Sequence, residues 1–118
     1  MTPTDINLNQ ASRVLAITWP DGVSHQFSCE FLRVHSPSAE VRGHGIGQEV
    51  LQVGKEAVNI TAIDPVGHYA IKITYDDGHD SGLYDWGYLR DLGDKQDQYW
   101  EKYLSRCAEA NVTRNPTD

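Results

Sequence analysis

The sequence predicts an α+β domain: a small antiparallel β-sheet built from hairpins, packed against short helices and a C-terminal amphipathic helix. Three observations carry this expectation. Over the first two thirds of the chain, apolar residues alternate with polar ones in short runs, the period of a half-buried strand. Turn-forming segments separate those runs: Pro20-Asp21-Gly22, Asp64-Pro65-Val66-Gly67 and Asp76-Asp77-Gly78. The helical period dominates only near the end, and strands followed by helices make a layered α+β domain.

Residues 12–19 form the first predicted strand, with Leu15, Ile17 and Trp19 on one face. Pro20 presets φ at one corner of the following turn and Gly22 permits the other, so 23–28 returns as the second strand. Ser28 is a fit N-cap for a short helix over 29–35, where Phe31, Leu32 and His35 share a face. Ser36-Pro37 ends it. The glycine-rich stretch 38–55 reads as a loop with one helical turn at 38–41. A third strand at 58–63 and a turn at 64–67 lead into 68–75, the plainest strand of all. There Tyr69, Ile71, Ile73 and Tyr75 oppose His68, Ala70, Lys72 and Thr74. Asp77-Gly78 is a hairpin signal, and 79–84 runs back. Asp85 is placed to cap a helix over 86–91 closed by Gly93, and Asp94 to cap a longer one over 95–110. In the latter, Tyr99, Trp100, Tyr103, Leu104 and Cys107 form a stripe expected to pack on the sheet. The polar, aperiodic ends are expected to be flexible termini, 1–11 and 111–118, around a single domain at 12–110.

A chain of 118 residues can bury roughly two thirds of the surface it exposes when unfolded. Its 39% hydrophobic and 23% charged residues are globular values. A net charge of −7, with ten Lys and Arg scattered along the chain, argues against a nucleic-acid partner, which needs a basic face. No run approaches the roughly 18 apolar residues of a membrane span. The polar start, with Asp5, lacks the regions of a signal peptide. The expectation is a cytoplasmic protein with no membrane contact. Cys29 and Cys107, far apart and outside any C-x-x-C, are expected to be reduced, buried thiols.

Motifs that would carry catalysis fail on spacing. Gly43-His44-Gly45-Ile46-Gly47 is not G-x-G-x-x-G, and Gly54-Lys55 has Glu49 where a phosphate-binding loop needs Gly. No G-x-S-x-G elbow exists. Asp76-Asp77-Gly78-His79-Asp80 gathers four donors in five residues, yet it fails the EF-hand spacing and the His-x-Asp of a facial-triad iron site. A solvated hairpin tip is the plainer reading.

Three separated segments occur in an order that resembles one family. They are Phe31-Leu32-Arg33-Val34-His35-Ser36-Pro37-Ser38-Ala39-Glu40-Val41-Arg42-Gly43-His44-Gly45, then Ile63-Asp64-Pro65-Val66-Gly67-His68-Tyr69-Ala70-Ile71, then Tyr75-Asp76-Asp77-Gly78-His79-Asp80-Ser81-Gly82-Leu83-Tyr84 with Trp86 and Leu89. Together they resemble the gamma-butyrobetaine hydroxylase-like N-terminal domain family, over about 12–92. The resemblance implies a domain that precedes an iron- and 2-oxoglutarate-dependent catalytic domain in the hydroxylases and is fused to iron–sulfur carrier ATPases elsewhere. It also implies a zinc site, made by Cys-Pro-Cys-x-x-Cys after the Leu-Arg pair and a later histidine. The matching positions here are Ser36, Ser38, Val41 and His79. Thiolate is the strongest protein donor to zinc, and neither a neutral hydroxyl nor an isopropyl group replaces it. The expectation is therefore a degenerate metal site without zinc or other cofactor, in which Ser36, Ser38 and His79 bond or pack together. A rescue set of His35, His44 and Glu40 is the one alternative donor group.

No counterpart of the hydroxylase catalytic domain stands in these residues, so the expected protein is not an enzyme. It is a non-catalytic accessory or protein-interaction domain with an unknown protein partner. Its candidate contact residues are Arg33, Arg42, His44, Asp77 and Asp80, with local pairing of Arg33 and Arg42 with Glu30 or Glu40 as the plainer reading. The alternative function is a metal-binding or metal-delivery domain linked to iron–sulfur assembly, although two lone cysteines are too few for a cluster. A third reading is a small-substrate enzyme using His44 or His79 as base.

Overall fold

The predicted strands pair in the computed structural model, which describes residues 1–42 and 50–114, as two separate antiparallel sheets rather than one. Strands β1 (Asp5–Asn9), β2 (Val14–Thr18) and β3 (Ser24–Ser28) form the first, in that order, and β4 (Ile60–Val66), β5 (Ala70–Tyr75) and β6 (Leu83–Asp85) the second. Helices α1 (Cys29–Val34) and α2 (Ala39–Arg42) lie between the sheets in sequence, and α3 (Trp86–Asp94) and α4 (Gln96–Glu109) follow them. The class is α+β, as predicted. No helix among the described residues is long and apolar enough to cross a membrane.

The inward faces of both sheets meet in one core. Leu15, Ile17, Trp19 and Phe27 come from the first sheet and Ile60, Ile71, Ile73, Tyr75 and Tyr84 from the second, with Leu32, Leu89 and Leu92 from the helices. Asn59 Nδ2 donates to the Gln10 carbonyl at 2.9 Å and Gln10 Nε2 to that of Ile60 at 3.1 Å, tying one sheet to the other.

Five expectations need correction. The segment 1–11 is not a loose terminus, because it contains β1, in register with β2 through Ile6 with Ile17 and Leu8 with Leu15. Only these two side chains turn inward, so Asp5, Asn7 and Asn9 gave the segment its polar look. At the other end, Arg114 bonds Glu30 and lies over Trp100, so order extends past 110; 115–118 lie outside the described residues. The turn expected at 64–67 starts late. Strand β4 continues through Pro65 to Val66, which is tolerated because β4 is an edge strand pairing only with β5.

The helix boundary also moved. Helix α3 runs to Asp94, and Lys95, not Asp94, precedes α4 without a side-chain cap. Gly93 sits inside α3 for a different reason: a Cβ there would meet His25 Nδ1 at 2.3 Å, so glycine lets the helix approach β3. Finally, the aromatic stripe of α4 packs mainly on α1. Tyr103 and Cys107 bury with Val34, and Trp100 lies 6.2 Å from the Phe31 ring, while Leu104 stays 37% exposed.

Candidate functional site

The site is assembled where the end of α1 meets the connection from β5 to β6. Ser28 caps α1, its hydroxyl accepting from the Phe31 N–H at 3.0 Å, and six residues later the helix runs out of intrahelical partners for its last carbonyls. Two phenols supply them. Tyr84 donates to the Leu32 carbonyl and Tyr88 to that of His35, both at 2.6 Å. The buried Tyr75 hydroxyl completes the chain by donating to Tyr84 at 2.7 Å. These bonds hold the connector 36–38 against the second sheet.

On the sheet side, the Tyr75 N–H donates to the His79 carbonyl and the His79 N–H to Asp77 Oδ1, which aims the imidazole inward. Its Nε2 lies 2.8 Å from Ser36 Oγ and 3.4 Å from Ser38 Oγ, and its Nδ1 lies 3.2 Å from Glu40 Oε2. Ser36, Ser38 and His79 are 1%, 5% and 6% exposed. Val41 on α2 is buried at 6%. A Cβ at Gly82 would fall 2.3 Å from Ser36 Oγ, so the chain entering β6 is packed directly against that hydroxyl. Three of the four positions assigned to the degenerate metal site thus meet as neighbours.

Electrostatics around the ring are set by burial and by Arg33. Burial pushes the His79 pKa below the ordinary histidine value; the Arg33 charge adds to this, and Glu40 opposes it. His35 is likewise lowered by burial, its Nδ1 bonded to the Phe31 carbonyl at 2.8 Å. Burial of Asp77 raises its pKa, but hydrogen bonds from Lys55, the His79 N–H and Arg33 outweigh this and hold it at about 2.

The candidate contact residues separate. Arg33 is buried, donating to Asp77 Oδ2 at 2.9 Å and to Gln52 Oε1 at 3.1 Å. It joins α1 to the hairpin tip and is not surface. Asp77 also accepts from Lys55 at 2.7 Å. Arg42 is exposed, 5.1 Å from the Tyr88 ring centroid, and Asp80 is exposed. His44 lies outside the described residues. The local pairs expected for the arginines are replaced, since Glu30 binds Arg114 and Glu40 meets His79. Of the rescue donor set, Glu40 is thus engaged with His79 and His35 Nδ1 bonds a backbone carbonyl, while the third member, His44, is not among the described residues. Among the described residues no three His, Cys, Asp or Glu side chains gather. Cys29 and Cys107 are buried free thiols.

Sequence reasoning missed Glu40 as the partner of His79. Its only signal was the predicted helical turn at 38–41, which carries it beside Ser38. It also missed the Tyr75–Tyr84 pair; the strand period puts Tyr75 on one face with Ile71 and Ile73, but nothing in a one-dimensional pattern shows which hydroxyl meets which.

Comparison with known proteins gives the chain relatives. Residues 6–90 match the family described as gamma-butyrobetaine hydroxylase-like, N-terminal. Two solution NMR structures are similar at 46% and 49% identity, each with a TM-score of 0.83 and 99% of this chain covered, over 92% and 87% of theirs. A crystal structure from Acidithiobacillus ferrooxidans, of a protein with unknown function in the DUF971 family, is similar at 36% identity and a TM-score of 0.66, covering 78% of this chain and 92% of that one. No curated protein matches the chain.

Proposed function

The chain belongs to the gamma-butyrobetaine hydroxylase-like N-terminal family, and from that membership we propose that it is a non-catalytic accessory domain acting through contact with another protein. One observation carries the reading. The Ser36–His79–Glu40 cluster, whose contacts are triad-like, is closed at its hydroxyl: Ser36 is 1% exposed, and the chain at Gly82 stands so near that hydroxyl that not even a methyl group fits there. An attacking oxygen needs room for a tetrahedral adduct and donors for its oxyanion. The packing leaves no such room.

The donor set does not fit the zinc that the resemblance implies. Ser36, Ser38 and Val41 supply two neutral hydroxyls and a hydrocarbon, and His79 Nε2 faces Ser36 at hydrogen-bond distance. A structural zinc takes four good donors, commonly thiolates. In this reading the work of the ion passes to hydrogen bonds. Metal analysis of protein purified without a His-tag is expected to find no stoichiometric zinc; about one ion per chain would refute the substitution. The triple variant Ser36→Cys, Ser38→Cys, Val41→Cys is expected to gain about one zinc per chain with His79 as fourth ligand. Affinity purification of the native protein tests the accessory role. A repeatable partner is expected, and its absence across conditions counts against the reading.

A further inference from the structure

We propose that Glu40 fixes the tautomer of His79, making it a positioning residue in a Glu40–His79–Ser36 latch that joins the start of α2 and the connector before it to the β5–β6 loop. The inference rests on the metal-free reading above and adds a residue and a proton position to it.

The argument is an accounting of donors and acceptors. A carboxylate only accepts, so Glu40 Oε2, 3.2 Å from Nδ1, bonds the ring only if Nδ1 carries the ring proton. The opposite tautomer would set a bare nitrogen lone pair against a carboxylate oxygen. With Nδ1 protonated, Nε2 is an acceptor, and Ser36 Oγ at 2.8 Å becomes its donor. The Ser36 oxygen then accepts the Ser38 N–H at 3.4 Å. Ser38 Oγ, 3.4 Å from the same Nε2, is the weaker second donor. Every polar atom of the ring is then used, and among the described residues no buried side-chain nitrogen or oxygen lacks a partner. The other charged groups facing the ring are Arg33 and Asp77, and Asp77 takes the backbone N–H of His79, not its ring. Outer carboxylates orient metal-binding histidines by the same logic; here a serine occupies the inner position.

The exposure of the two partners makes the idea testable without unfolding the domain. The Glu40 side chain is 73% exposed while that of His79 is 3% exposed, so Glu40 can be replaced at the surface. Long-range proton–nitrogen NMR spectra of nitrogen-labelled protein at neutral pH report which ring nitrogen bears hydrogen, with the amide spectrum as a control for folding. In the wild type, Nδ1 is expected to be protonated and Nε2 bare. Glu40→Ala is expected to shift the ratio toward the Nε2–H form by about five-fold, the size of a surface pairing. Glu40→Gln, whose amide can donate to Nδ1, moves it the same way. A wild-type ring protonated at Nε2, or a ratio unmoved in Glu40→Ala, overturns the proposal. Recording the wild type with and without EDTA separates the two readings. A spectrum that changes on chelation sinks the metal-free premise and the latch with it, whereas an unchanged spectrum with an unmoved Glu40→Ala ratio sinks the latch alone.

Discussion

Ser36 has its neighbours pressed on it from two chain segments, and single atoms there decide stability. Gly82→Ala puts a methyl group where Ser36 Oγ already stands, 2.3 Å from the new Cβ. Overpacking of this kind costs about 1–3 kcal/mol. Urea denaturation is expected to show that loss, and a variant as stable as the wild type would mean that the β5–β6 connection has slack the structure does not show. The tyrosine pair gives a graded test. Tyr84→Phe strips the Leu32 carbonyl of its donor and Tyr75 of its acceptor, leaving two buried groups short, at about 1–3 kcal/mol. Tyr75→Phe removes one bond and orphans nothing, so its cost is nearer 0.5–1.5 kcal/mol, an order-of-magnitude range. Equal losses would contradict the direction assigned to the phenol chain.

Among the elements, α1 matters most because it carries Arg33 and delivers Ser36. It is only six residues long, too short to persist without tertiary contacts, so both of its ends are held. Ser28 caps the start, and Tyr84 and Tyr88 take carbonyls at the end. Ser28→Ala removes the hydroxyl that accepts the Phe31 N–H, with an expected cost of about 1 kcal/mol read as a lower thermal midpoint. An unchanged midpoint would mean that packing alone forms this helix. The β5–β6 tip is held by Arg33 and Lys55 converging on Asp77. Burial alone would raise the Asp77 pKa, and the hydrogen bonds from Lys55, the His79 N–H and Arg33 bring it down to about 2.

The whole molecule should respond to acid through its buried imidazoles. His35 and His79 both have folded pKa values below the ordinary histidine value, chiefly through burial. The unfolded chain, titrating near 6.5, therefore binds protons at a pH where the folded chain does not. Stability rises with pH in that window. The contribution is fully present above about 6.5 and is lost as pH falls through the folded values. The urea midpoint is expected to drop on acidification from about 7 toward 5, and a midpoint that rises over this range would contradict the burial of both rings. Asp77 adds a separate loss only in strong acid, toward its pKa of about 2.

The amino-acid order alone determined the class, most strand positions, the caps at Ser28 and Asp85 and the meeting of Ser36 and Ser38 with His79. These are written in short-range periods, turn residues and a family motif that one dimension preserves. It misjudged β1, the reach of β4 and the seat of the α4 stripe, because those depend on which apolar faces find each other across long sequence separations. Only the tertiary structure decided that Arg33 is buried against Asp77, that Gly82 and Gly93 are glycines for close approach rather than for turning, and that Glu40 stands at Nδ1. Contacts of a few ångströms between residues about forty positions apart leave no trace in local pattern, since their physical cause is the packing of the folded chain.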